Sequence, residues 1–346
     1  MHFRHPIPFN LSLLCGLLFL ASPAFAQQLF TRTIDVNGLD REYLIYLPVD
    51  YDASQSLPAL MWHHGGSDNA EVALSEADFR TLADSRRFIV AYPNALPDQT
   101  EGCNCWGYQQ PGGLSNGNWD IDLAFTRALI DDLIATYNAD QSRIYAGGYS
   151  MGASYTWDIT CAMSDVIAAA APVAASMYPW TFNNCDAALP TAVCHILGTD
   201  DFYAPYDGQE GWVPSAAAQH AFWVGKNQAN TPAEEESLGD GVTRFIWTAG
   251  QGCHGVEHFR WGGGHVVPSF ATTVIWDFVS QYSLEGLIDC GGDALTADFN
   301  GDGAVNGVDL GQLLGSWSSS NAPYDLDGSG KVDGGDLAIV LGAWTG

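Results

Sequence analysis

Residues 143–152 read Arg-Ile-Tyr-Ala-Gly-Gly-Tyr-Ser-Met-Gly, and within them Gly148-Tyr149-Ser150-Met151-Gly152 sets a serine between two glycines where a strand-like run meets a helix-like one. A hydroxyl can attack a carbonyl only if it projects from a turn too tight for side chains at the flanking positions. The next backbone N–H is then aimed at the oxyanion that develops. The spacing predicts such a turn, with Ser150 as nucleophile and Met151 as an oxyanion donor. Matches to Gly-x-Ser-x-Gly also arise by chance, so the reading depends on its surroundings.

Outward from this turn, strand-like and helix-like segments alternate from residue 27 to about 283. Residues 29–36 and 43–47 read as a hairpin joined through Asn37-Gly38. Residues 59–62 and 88–92 are short apolar runs ending in loops. Residues 121–137 have helical spacing, with Leu123, Ala124, Leu129, Ile130, Leu133 and Ile134 on one face. Strand-like runs at 166–174, 191–197 and 242–247 follow the turn and its helix, and a helix at 271–282 closes the unit. This alternation predicts an α/β protein whose mostly parallel sheet is covered on both faces.

A nucleophilic serine needs a base to take its proton and an acid to hold that base in the right tautomer. In the α/β-hydrolase fold these follow the serine in the order acid, then histidine, each on a loop after a strand. Here residues 191–197 run into Gly198-Thr199-Asp200-Asp201, and Trp261-Gly262-Gly263-Gly264-His265 lies near the end of the unit. The order fits. Residue type leaves Asp200 and Asp201 both open as the acid, and His254 and His265 both open as the base. The second oxyanion N–H is expected from His63-His64-Gly65-Gly66, which follows the run at 59–62 and permits close backbone approach.

These residues resemble a known family. His64-Gly65-Gly66, the strand and turn at 143–152, Gly198-Thr199-x-Asp201 followed by Pro205-Tyr206, and Gly263-Gly264-His265 are similar to the secreted esterases that group feruloyl esterases, acetylxylan esterases and polyhydroxybutyrate depolymerases. The resemblance implies a triad of Ser150, Asp201 and His265, with Met151 and Gly66 as oxyanion donors and no cofactor for catalysis. It also implies hydrolysis of polymer-linked esters, feruloyl or acetyl esters of plant polysaccharide first and polyhydroxyalkanoate as the alternative. A non-catalytic binding protein on a hydrolase scaffold is a third reading, which the intact Ser, Asp and His oppose. The chain departs from the family at Ala153, where many relatives carry glycine, and in the insertion at 102–117. Aromatic residues near the loops, Trp106, Trp119, Tyr178, Trp180, Tyr203, Tyr206 and Trp212, are candidates to stack on a phenolic acid or sugar.

At 346 residues the chain is long enough for two domains. Residues 1–26 carry Arg4, an apolar run at 11–21 and Ala24-Phe25-Ala26, the pattern of a cleaved secretory signal. The apolar run is shorter than the roughly 20 residues that span a bilayer. A net charge of −28 opposes binding to nucleic acid or an anionic membrane surface. Secretion implies disulfides among the eight cysteines. Cys15 leaves with the signal, so one thiol stays unpaired, and Cys194 in its apolar run is the candidate.

After the hydrolase-like unit, taken as 27–286, residues 287–296 read as a linker and 297–346 contain a duplication. Asp298, Asp309, Leu310, Leu313, Leu314 and Trp317 recur in order as Asp325, Asp336, Leu337, Val340, Leu341 and Trp344. Each half opens with the oxygen-rich spacing of a calcium loop, whose clustered carboxylates repel unless a hard cation offsets them. The candidate ligands are Asp298, Asn300, Asp302, Ala304 and Asp309 in one loop and Asp325, Asp327, Ser329, Lys331 and Asp336 in the other. Each loop leads into an apolar helical stripe, so a small all-α module with structural Ca2+ is expected. The duplication resembles a type I dockerin, which implies a cohesin-like scaffold as partner. Gly307-Val308 and Gly334-Gly335 stand where dockerins usually carry polar specificity residues.

Overall fold

A computed structural model describes residues 1, 28–98, 102–108, 118–250, 253–288, 297–300, 304–320, 322–326 and 329–344. The expected signal segment, the linker at 289–296 and the candidate ligands Asp302 and Asp327 lie outside these residues.

Ten strands form one sheet, Pro97–Asp98 (β5) and Cys103–Asn104 (β6) pair in a separate ribbon, and a short helix, α5 (Pro179–Asn184), precedes the strand Ala192–Gly198. The strands at the centre of the large sheet are largely buried because both faces are covered. These are β3 (Leu57–His63), β4 (Ile89–Pro93), β7 (Ala139–Tyr149), β8 (Ala169–Val173), β9 (Ala192–Gly198) and β12 (Val256–Trp261). They run parallel in the order β4-β3-β7-β8-β9-β12. β1 (Leu29–Val36) and β2 (Leu39–Tyr46) extend the β4 side as an antiparallel hairpin. β10 (Glu234–Gly239) and β11 (Val242–Trp247) extend the other side, also antiparallel. β10 is the last strand on that side, exposed along its whole length and opening with three glutamates.

Alternation along the strands divides the core in two. Leu60, Trp62, Val90, Tyr92 and Tyr145 pack with α1 (Ala70–Glu76), α2 (Arg80–Arg86) and α7 (Ala271–Val279) on one face. Ala59, Met61, Ile89, Ala91, Ile144 and Ala146 pack with α3 (Trp119–Tyr137) and α4 (Met151–Ala162) on the other. The chain runs from β3 outward to β4, then returns past β3 to β7 and proceeds the opposite way. The sheet therefore switches direction between β3 and β7, and ligands of open α/β sheets bind at the carboxyl ends flanking such a point.

The helix expected over 271–282 is shorter. It ends at Val279, and Tyr282–Ser283 (β13) pairs with Gly286–Leu287 (β14) in a small ribbon. Leu287 N–H donates to Cys253 O and Ile288 N–H to Gln281 O, so the first two residues of the expected linker are tied by hydrogen bonds to this unit. β10 and β12 are strands beyond those the sequence pattern predicts. Two disulfides, Cys103–Cys105 and Cys161–Cys185, join described residues, Cys253 is also disulfide-bonded, and Cys194 is a buried free thiol.

The C-terminal residues contain the helices Gly307–Gly315 and Gly334–Gly342 around a core of Ala297, Val305, Leu313, Val332 and Val340. Asn306 and Asp333 cap them in reciprocal boxes with Asp309 and Asp336. Among the described residues no helix is long and apolar enough to cross a membrane.

Candidate active site

β7 delivers Ser150 at the switch point in a strained backbone conformation. Its φ is 54° and its N–H donates to Val173 O at 3.1 Å. A β-carbon on Gly152 would lie 2.3 Å from His63 O, and one on Gly148 would lie 2.6 Å from the Gly152 backbone. Both glycines are thus required by close approach of β3, β7 and α4, as the sequence spacing predicts. Ser150 is the cap of α4, so Met151 N–H, the first of that helix, has no intrahelical acceptor and is available at its positive end.

The structure brings Ser150, His265 and Asp201 into one chain of hydrogen bonds. His265 Nε2 lies 2.7 Å from Ser150 Oγ, and His265 Nδ1 lies 2.9 and 3.0 Å from the two Asp201 oxygens. Both loops follow neighbouring parallel strands, Asp201 after β9 and His265 after β12. They are tied together where Thr199 N–H donates to Trp261 O and Asp200 N–H to Gly263 O. Asp201 is 3% exposed and also accepts from the N–H groups of Tyr203 and Ala204, both at 2.9 Å. Its carboxylate is thereby fixed in position. Tyr149 OH donates to His265 O at 2.8 Å, and burial pushes that phenol up to about 12, so it remains a donor.

The competing residues lie elsewhere. Asp200 is exposed, and its neighbour Asp201 takes the inward position on the loop. His254 is buried with its ring stacked on Tyr282, 6.4 Å between centroids.

The histidine-glycine loop follows β3, which pairs with β7 so that His63 stands opposite Gly148. Both histidines are buried and structural. His63 Nδ1 donates to Gly147 O at 2.8 Å, and burial holds its imidazole at about 4. His64 Nε2 accepts from Ala95 N–H at 3.0 Å, so its proton sits on Nδ1, 2.6 Å from Gly65 O. Gly66 lies against Met151, its β-carbon position 3.5 Å from the Met151 thioether. The two expected oxyanion donors thus occupy adjacent segments. The insertion buttresses this loop, with Ser67 N–H donating to Asn104 O at 3.0 Å.

Of the aromatic candidates, Tyr203 is 66% exposed with its ring 4.9 Å from His265. Trp106 is different: it is buried against His63, His64 and Tyr155, with its indole N–H on His64 O, and belongs to the core. Tyr206 is engaged with His258.

Such an arrangement can move a proton from a serine hydroxyl to an imidazole whose positive charge a buried carboxylate then stabilises. Residues 41–187 match the family described as Esterase PHB depolymerase, a span that includes Ser150 and the histidine-glycine loop and stops before Asp201. The chain is 28% identical over 263 residues to a bifunctional acetylxylan esterase/xylanase of Neocallimastix patriciarum, covering 74% of this chain and 35% of that protein. It is 26% identical to feruloyl esterase B of Piromyces equi, over 70% of this chain and 46% of that one. With poly(3-hydroxyalkanoate) depolymerase C of Paucimonas lemoignei it shares 27% identity over 47% and 39%. The chain thus spans between a third and a half of the length of these relatives. In fold it is similar to the acetyl xylan esterase from Aspergillus awamori, with a TM-score of 0.53 at 16% identity, covering 72% of this chain and 99% of that one. Sheet, helices and structural likeness fit the α/β-hydrolase fold, and the named relatives support the class of carboxylic ester hydrolases.

Proposed function

We propose that this chain is a secreted serine esterase acting on polymer-linked esters, feruloyl or acetyl esters of plant cell-wall polysaccharide in the first place. The unbroken sequence of hydrogen bonds from Ser150 through His265 to Asp201 carries the reading. His265 Nε2 takes the Ser150 proton as Oγ bonds to the ester carbonyl. The carbonyl oxygen becomes an oxyanion facing the N–H groups of Met151 and Gly66. Collapse breaks the bond to the alcohol, which leaves with the proton from His265. Water then repeats the sequence on the acyl-enzyme and releases the acid.

The choice of polysaccharide is supported by the extent of similarity. Relatives named for acetylxylan and feruloyl esters align with 74% and 70% of the chain, against 47% for the hydroxyalkanoate depolymerase. The depolymerase reading is retained as the alternative because the matched family carries that description. Disulfides support an oxidising, extracellular location.

The C-terminal module is proposed to be dockerin-like, held by two Ca2+ ions and binding a cohesin-like scaffold. Asp325 Oδ1 is buried with no hydrogen-bond partner among the described residues, which is how a carboxylate oxygen awaiting a cation stands. Asp298, Asn300, Ala304 and Asp309, and Asp325, Ser329, Lys331 and Asp336, would supply the described oxygens, and a bound ion would neutralise them. Hydrolysis of methyl ferulate, acetylated xylan and short poly(3-hydroxybutyrate), measured side by side with fluorophosphonate labelling, tests the proposal. Labelling at Ser150 with fastest release from ferulate or xylan acetate is expected. Absence of labelling would remove the serine esterase, and a preference for hydroxybutyrate would select the alternative.

A further inference from the structure

Three histidines outside the triad converge although they are far apart in sequence. His195 in β9 stands in register with His258 in β12, and His220 comes from α6 (Ala216–Lys226). All three are buried, and one ring nitrogen from each falls within 4.8 Å of the others. His195 Nε2 donates to Ala175 O, and His258 Nδ1 donates to His195 O, each at 3.0 Å. Those carbonyls fix the protons on the far side of each ring and leave lone pairs on His195 Nδ1 and His258 Nε2. Carbonyl anchoring of this kind orients imidazoles that ligate a metal. His220 Nε2 lies 3.1 Å from His195 Nδ1, and Tyr206 OH lies 2.9 Å from His258 Nε2.

Two nitrogens about 2.0–2.1 Å from a tetrahedral zinc stand roughly 3.3 Å apart, close to the spacing His195 and His220 already have. We propose that His195, His220 and His258 bind one divalent transition metal, zinc in the first instance, with the Tyr206 hydroxyl or water in the fourth position. On binding, His220 carries its proton on Nδ1 and exchanges its hydrogen bond to His195 for the ion. A cavity of about 510 Å3, lined by Tyr206, His220, Phe245, Trp247, His258 and Arg260, supplies entry and room for that water. No triad residue lines it. Nitrogen donors select zinc, copper or nickel over calcium, which separates this site from the C-terminal loops. The ion would clamp β9, β12 and α6 below the loops that carry Asp201 and His265.

Full-length protein, stripped with a chelator and returned to calcium-saturated buffer, is titrated with Co2+. One equivalent with the intense visible bands of tetrahedral cobalt, no thiolate charge-transfer band, and displacement by Zn2+ are expected. His220→Gln and His258→Gln, each checked for native circular dichroism, should weaken cobalt binding by at least about a hundredfold, beyond the cost of losing a supporting hydrogen bond. Wild-type protein that takes up no cobalt, or takes it up with an octahedral or thiolate spectrum, overturns the proposal without recourse to variants. So does a folded His220→Gln protein that binds as wild type does.

Discussion

Ser150 occupies a backbone region that is costly for a residue with a side chain, and the contacts around it hold it there. The geometry exists before substrate arrives. Ser150→Ala is expected to abolish ester hydrolysis while leaving the thermal transition unchanged, since loss of a triad nucleophile lowers turnover roughly a million-fold in a well-studied protease. Activity within about tenfold of wild type would make the serine structural. His265→Ala should match that loss, whereas His254→Ala, which removes a ring packed on Tyr282, should affect stability first. Rates for the two variants, compared with their melting temperatures, decide between them. Ser150 was legible because its turn is local and its glycines are dictated by steric approach. Asp201 was legible from the resemblance alone: it and Asp200 are chemically equal, and only curvature of the loop buries one and exposes the other. The histidine cluster was illegible, because β-pairing and a helix unite residues with no common motif.

At the level of elements, the apolar strands and the long helix α3 were readable from hydrophobic period, while β10 and β12 were not. β12 is buried yet contains Glu257 and His258, which break its apolar run. Glu257 is tolerated because Arg244 of β11 grips both its oxygens, at 2.6 and 2.8 Å. β3 carries a second buried polar group with a measurable consequence. Burial holds the folded-state value of His63 at about 4 against an ordinary 6.5. The unfolded chain therefore binds a proton between those values that the folded protein refuses, and stability falls as pH drops from about 6.5 toward 4. By pH 4.5 the loss from this group is roughly 2–3 kcal/mol. Urea unfolding at pH 7.5 and 4.5 should show it, and His63→Gln should reduce the difference. An equal difference in the variant would assign the effect to other groups.

In the whole molecule, the sheet-based residues and the C-terminal residues differ in the source of their stability. The sheet-based unit has extensive buried cores on both faces, whereas the C-terminal one has a core of five buried residues and a concentration of carboxylates. A small core cannot by itself offset such repulsion. Calcium chelation should therefore lower or remove the thermal transition of the C-terminal unit and leave hydrolysis of soluble esters intact. A chain ending at residue 296 should remain active on those esters and lose attachment to the proposed cohesin-like scaffold. Calorimetry with and without chelator, together with kinetics of both chains, tests this: a calcium-indifferent transition removes the dockerin reading, and an inactive shortened chain removes the independence of the units. Among the described residues the sheet is also open, and β10 stands at its margin. Glu236 is paired with Arg244 of β11, but Glu234 and Glu235 keep negative charge on that margin, so a second copy approaching to extend the sheet would meet electrostatic repulsion before any backbone pairing began. The strand that contributes least to burial thus guards the protein's colloidal state, and replacing those glutamates by neutral residues would turn a margin into a template for fibrous stacking.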